Sequence, residues 1–181
     1  MQALVRASLT SGTLYTIGDL LNQGFVEPRV SGSDRSQFRD VDWLRTGKFA
    51  LTGALLHGPF FLYGFTMLDR LCGQARSLGA VFKKSVAGQV LLFPPYVLSF
   101  LSMTALLDGQ SPWDRIQSRF VPIMVNGSIV WPIANVINFR YLPSQWRIAY
   151  INIVGIGWNT YLSFNTRQHT KRAIQIPSDL R

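Results

Sequence analysis

The chain has 181 residues, a formal net charge of +9 and one cysteine. Hydrophobic residues make up 48% and charged residues 15%, where soluble domains carry about 25% charged residues. This balance excludes a disordered chain, a disulfide scaffold and a soluble globule, and a lone cysteine cannot form an internal disulfide.

All 18 Lys and Arg and all 9 Asp and Glu fall outside four windows, 49–68, 85–107, 120–139 and 148–164. A helix rises about 1.5 Å per residue, so roughly 20 residues cross a 30 Å hydrocarbon layer. Three windows reach that length. The fourth is shorter, with Trp146 before it and Asn165 after it at the interfaces. The sequence therefore predicts an all-α polytopic membrane helix bundle: one integral membrane domain over 1–181, with four to five transmembrane helices and an interfacial helix.

In chain order, residues 3–21 form a weaker apolar helix with Arg6 and Asp19 near its ends. Ser8, Gly12 and Thr16 give it one small-residue face, which lets helices approach closely in a bilayer. It is expected to span or nearly span, a surface-lying amphipathic helix being the alternative. Residues 1–18 hold no acid and a single arginine, which favours internal targeting over a cleaved presequence. Residues 22–48 are polar and read as a loop followed by a short helix over 38–45. A second apolar helix, 49–71, carries Ala50, Ala54 and Gly58 at the same small-residue spacing. His57-Gly58-Pro59 interrupts it, because proline removes a backbone hydrogen bond. Cys72 follows, as an inert small residue or a redox or intersubunit group near an interface.

The third helix, 85–107, contains Pro94-Pro95. Asp108-Gly109 marks a turn, and Ser111-Pro112-Trp113-Asp114 reads as a helix start, with serine as cap and proline in the first position. Trp113, Ile116 and Phe120 share a face, so this stretch is expected to lie along the interface before the fourth helix, 115–140, with Pro122 and Pro132. Pro143-Ser144 starts the last helix, 146–166.

The basic residues cluster between the windows, which suits lipid headgroups better than a nucleic-acid groove, and no nucleic acid is expected. Twelve basic residues fall on the side holding 1–48, 108–119 and the tail, against six in the 69–84 and 140–147 loops. That assigns the tail side to the matrix or cytosol.

The run Trp131-Pro132, Asn135, Asn138-Phe139, Leu142-Pro143, Arg147 and Trp158-Asn159-x-Tyr161-Leu162-Ser163 resembles the C-terminal signature of the Mpv-seventeen / peroxisomal-membrane-protein-twenty-two family. Gly12 and Gly18-Asp19 resemble its first helix, Gly58-Pro59 with Leu68-Asp69-Arg70 its second, and Lys83-Lys84, Gln89 and Pro94 its third. The resemblance implies a small protein of the mitochondrial inner membrane, or alternatively of the peroxisomal membrane, with four spans. Several members are described as weakly selective channels for small solutes. Two positions depart from the pattern. Gly88 stands where the family commonly has an acid, and Gly64 where it commonly has a tryptophan.

The windows also contain His57, Gln89, Asn126, Asn135, Asn138, Asn152 and Asn159. Each costs free energy in hydrocarbon unless partnered. Either they bond across helices or they line a wet pore. Gln89, Asn135 and Asn138 are the foremost pore candidates, with His57 and Asn159 beside them. Asn135 and Asn138 are three apart, and Trp131 extends their face by a turn. Trp131, Trp146 and Trp158 read as packing or interface groups. Asp19 and Asp69 lie near window ends, as solvated charges or as partners of Arg147. There is no nucleophile motif, glycine-rich phosphate loop or metal-ligand cluster, so neither an enzyme nor a cofactor or metal is expected. Two functions follow. One is a solute channel, alone or as a homo-oligomer, in a bilayer that includes cardiolipin. The other is a non-conducting accessory subunit of a larger mitochondrial membrane complex, suggested by the missing acid at Gly88.

Overall fold

A computed structural model describes residues 1–26, 41–73 and 77–158. These are almost entirely helical, with no strand among them. Helix α1 is Gln2–Leu21 and ends in a π-helical turn, Asn22–Val26. Helices α2, α3 and α4 are Trp43–Cys72, Leu78–Leu107 and Pro112–Tyr141, each long and apolar enough to cross a membrane. Residues 144–158 form α5.

Local chemistry sets the ends. The Asp42 carboxylate accepts from the Arg45 amide at 2.9 Å, which caps α2 and places the described part of the expected 38–45 helix in its first turn. The Ser111 hydroxyl accepts from the Asp114 amide, with Pro112 in the first position, as read from the sequence. No break separates the Trp113–Phe120 face from the span, and α4 runs as one helix through Pro122 and Pro132. Gly73 (φ 77°) and Gly109 (φ 67°) end α2 and the α3–α4 turn in a conformation that only glycine adopts cheaply.

The other prolines act on their own helices. Pro59 has no amide hydrogen, and the turn before it widens into a π-turn over Gly53–His57, where the Gly58 amide bonds back to Gly53. Leu92, at φ −102°, marks the joint in α3 just before Phe93-Pro94-Pro95.

Neighbouring helices run antiparallel. Helix α1 lies along α2, with Gly12 against Ala50 and Ala54, the Gly53 backbone on Ser11 and the Gly58 backbone on Ala7. The buried residues of α1 are Ala7, Ser11, Gly12 and Asp19. The close face therefore centres on Gly12 but is rotated from the expected Ser8–Gly12–Thr16 stripe. The core joins α2 to α5 through Phe65, Leu68, Val81, Leu92, Phe139 and Ile151. A second cluster, Phe93, Val97 and Leu101, packs on α4. The outer side of α4 presents Val121, Val125, Ile129 and Ile133 to the surroundings, as a lipid-facing helix does.

Candidate functional site

The helices enclose a cavity of about 1170 Å³. Its wall runs down α2 from Asp42 to Phe65 and down α4 from Ser111 to Asn135. At 1.5 Å per residue that is about 35 Å, comparable to the hydrocarbon thickness. Helix α1 lines only the half that is open among the described residues, with Leu14, Tyr15, Gly18, Asp19 and Asn22.

The open end is charged and balanced. Asp19, Asp42, Asp108 and Asp114 face Arg45, Lys48, Arg115 and Arg119. Asp108 receives Lys48 at 2.9 Å and Arg115 at 2.8 Å, tying α2 and α4 to the α3–α4 turn. The Lys48 hydrogen bond holds the Asp108 carboxyl below its ordinary 3.8; burial opposes this and Arg115 adds to it. Asp19 is buried and lies 2.9 Å from Arg45, with Thr46 and Gln23 each donating to it at 2.7 Å. It is a paired group, not a solvated end charge.

Midway, the buried His57 ring stacks among Tyr15, Phe61 and Tyr96 at centroid distances of 5.2, 4.7 and 5.5 Å. Its Nδ1 meets the Ser11 hydroxyl at 3.3 Å, and Asn152 donates to that hydroxyl at 3.0 Å. Tyr15 and Tyr96 share a 2.8 Å hydroxyl contact across the cavity wall.

Two amides have orientations fixed by their partners. Asn152 also donates to the Ile148 carbonyl, which only accepts, so its nitrogen faces inward and Oδ1 has no partner among the described residues. Gln89 donates to Ser128, whose own proton goes to the Met124 carbonyl, so Gln89 Oε1 is likewise unpartnered.

The other end is closed. The wall stops at Phe65, Gly88, Asn135 and Ile151. The next turn of each helix supplies Leu68, Lys84, Phe139 and Arg147. Lys84 reaches Asp69 at 2.6 Å and Arg147 reaches its other oxygen at 2.8 Å. The Phe139 ring lies 5.4 Å from Lys84 Nζ and 5.2 Å from Arg147 Cζ, and packs edge-on against Phe65. Two buried cations share one carboxylate, and an aromatic face supplies further attraction.

The structure places the sequence-predicted residues unevenly. Gln89, Asn135 and His57 line the cavity with Trp131 and Trp158, whose rings are 6.3 Å apart. Asn138 does not line it; the side chain is fully buried and neither amide atom has a partner among the described residues. Asn159 lies outside the described residues. Gly58 sits at the α1–α2 contact beside Pro59, and the Pro132 carbonyl accepts the Ser85 hydroxyl at 2.8 Å. Asp69 pairs with Arg147 at the closed end. Sequence reasoning missed Lys84 as a buried ion, although Val81, Lys84, Ser85 and Gly88 fall on one helical face. It also missed Ser11, Tyr15 and Tyr96. Among the described residues no group of three His, Cys, Asp or Glu is placed to hold a metal.

Comparison with known proteins gives one consistent result. A family model described as Mpv17 / PMP22 family matches residues 105–163. Protein SYM1 of Gibberella zeae is 35% identical over 91% of each chain. PXMP2/4 family protein 4 of Dictyostelium discoideum is 30% identical over 90% of this chain and 85% of its own. Mitochondrial inner membrane protein Mpv17 of Danio rerio is 27% identical over 88% of each. No solved structure matches.

Proposed function

The chain belongs to the Mpv17 / PMP22 family of organelle membrane proteins, and on that premise we propose that it is a weakly selective solute channel of the mitochondrial inner membrane. The observation that carries this reading is the cavity, which traverses most of the membrane thickness and stops one helical turn short of the Asp69, Lys84 and Arg147 layer. Four acids against four bases at its open end favour no strong charge selection. Amide and aromatic walls suit small polar solutes. On this reading the arrangement described is the closed one, the protein is not an enzyme, and it acts alone or as a homo-oligomer. Anionic headgroups such as cardiolipin meet the exposed Arg70 and Lys83 at the closed end. The likeness to the mitochondrial inner membrane protein of Danio rerio supports that membrane, with the peroxisomal membrane as alternative.

Planar-bilayer recording of the purified protein tests it. The expected result is a conductance that Asn135→Trp reduces by filling the cavity. Absence of any current above the lipid background, at every voltage, sinks the channel.

The sealed end favours a second reading, a non-conducting accessory subunit of a larger mitochondrial membrane complex. A native gel of mildly solubilised membranes with mass spectrometry separates the two. Migration alone or as a small homo-oligomer supports the channel, and co-migration with a large complex supports the subunit.

A further inference from the structure

Arg6 lies on the outside of the bundle, level with the middle of the charge-free stretch of α2. The antiparallel register of α1 on α2 fixes that depth. Gly12 meets Ala50 and Ala54, Ser11 meets Gly53, and Ala7 meets Gly58. Arg6 is therefore level with the middle of the charge-free window 49–68. Asp69, at the closed end, is ten residues further along α2, about 15 Å away by helical rise. Lys48, the nearest open-end charge on α2, is about 16 Å away in the other direction by the same rise.

The side chain is exposed. It points away from the buried Ala7, Ser11 and Gly12 face, and no hydrogen bond or ion pair holds it among the described residues. Gln2, Arg6, Thr10 and Thr13 follow one another at helical spacing and form a polar stripe along the outer side of α1, between Val5, Leu9 and Ile17. Hydrocarbon solvates neither a guanidinium nor these donors, and charges inside a membrane face protein or water almost without exception.

We propose that this face of α1 is the docking surface for a transmembrane helix of a different protein, one that carries an aspartate or glutamate at mid-membrane depth opposite Arg6. Charge selects the occupant. A second copy docked by two-fold symmetry would set Arg6 against Arg6. Among the described residues the acids nearest that depth are engaged, Asp19 by Arg45 and Thr46, and Asp69 by Lys84 and Arg147. The other described acids, Asp42, Asp108 and Asp114, stand at the open end. A carboxylate on a partner helix matches the guanidinium in a bidentate pair, and polar side chains on the same helix match Gln2, Thr10 and Thr13. This inference does not depend on whether the cavity conducts.

The test is a photo-crosslinking amino acid placed at Leu9 in the full-length chain, activated in native membranes. The expected product is one cross-linked polypeptide whose sequence carries an intramembrane Asp or Glu. Its yield falls at least about fivefold with Arg6→Leu, which corresponds to roughly 1 kcal/mol, and is retained with Arg6→Lys. Changing that partner acid to its amide lowers the yield equally. Products with lipid only, with a second copy, or with this chain's own tail overturn the proposal. So does a yield indifferent to Arg6→Leu. Melting of the purified Arg6→Leu protein in detergent is expected to match or exceed the wild type. A fall would place Arg6 inside its own fold and also overturn the proposal.

Discussion

Asp69 and Arg147, 78 positions apart in the chain, meet at 2.8 Å, and the same carboxylate holds Lys84 at 2.6 Å from its other oxygen. Three helices are thereby joined at the end where the cavity stops. Both cations are almost wholly buried, with side-chain exposures of 2% for Lys84 and 7% for Arg147. Asp69→Asn leaves two buried positive charges without an anion. The expected cost is about 3–5 kcal/mol, the range for breaking a buried pair from one side. Thermal unfolding in detergent reads it. The opposite change, Lys84→Met with Asp69 kept on Arg147, is expected to cost less, because one matched pair remains.

The α1–α2 contact depends on the absence of two β-carbons. A Cβ on Gly58 would lie 2.5 Å from the Ala7 oxygen, and one on Gly53 would lie 2.6 Å from the Ser11 oxygen. Backbone atoms cannot give way as side chains do. Gly58→Leu is expected to push α1 off α2 and lower stability by about 1–3 kcal/mol. Gly157 is the control, because nothing among the described residues lies within 4 Å of its added Cβ. Gly157→Ala is expected to be neutral or to gain up to about 1 kcal/mol. Equal losses at the two positions would show that the close contact does not hold the helices.

Much of the bundle was legible because hydrocarbon excludes charge, so four charge-free windows marked the positions of α2 to α5. The caps at Ser111 and the joint near Pro94 were also local and readable. Pairing was not. Lys84 borders a window and counts as a loop cation by sequence, yet its side chain turns back one helical turn to Asp69. Arg6 has the reverse history: it sits near the start of α1 and reads as an end charge until the register with α2 sets its depth. Asp19 shows the same limit, since Arg45 and Thr46 come to it from another helix. Windows report depth within one helix, and only packing reports which depths coincide.

The open-end tie has a pH signature. The folded Asp108 carboxyl is held below its ordinary 3.8 by Lys48 and then Arg115. A depressed acid contributes stability above its unfolded value and loses it as pH falls through the folded one. The contribution is therefore present at neutral pH and disappears in strong acid. Its size is small, below about 1 kcal/mol, because the Asp108 side chain is 38% exposed and solvent screens the pairs. Wild type and Asp108→Asn are expected to differ in melting temperature at pH 7 and to converge below pH 3.8. A constant gap across that range would mean that the tie is not ionic.

Asn135 and Asn138 resolve the face that the sequence left undivided. Three residues turn a helix by about 300°, which separates the two side chains by about 60°. Sequence spacing puts both on one side, and the edge of the cavity falls between them. Asn135 lines the cavity beside Trp131, and Asn138 is fully buried against the closed end. With Cys72 replaced by serine, single cysteines at Gln89, Asn135 and Asn138 report the wall directly. A small, charged, membrane-impermeant thiol reagent supplied from the open end is expected to label Gln89→Cys and Asn135→Cys and to leave Asn138→Cys unmodified. Denaturation should then expose all three equally, confirming that the cysteines are intact. Labelling of Asn138→Cys at the rate of Asn135→Cys would mean that water passes the Phe139 level, and the closed end would not be a seal. Protection of all three would mean that the cavity is dry, and the amides would then serve helix packing alone.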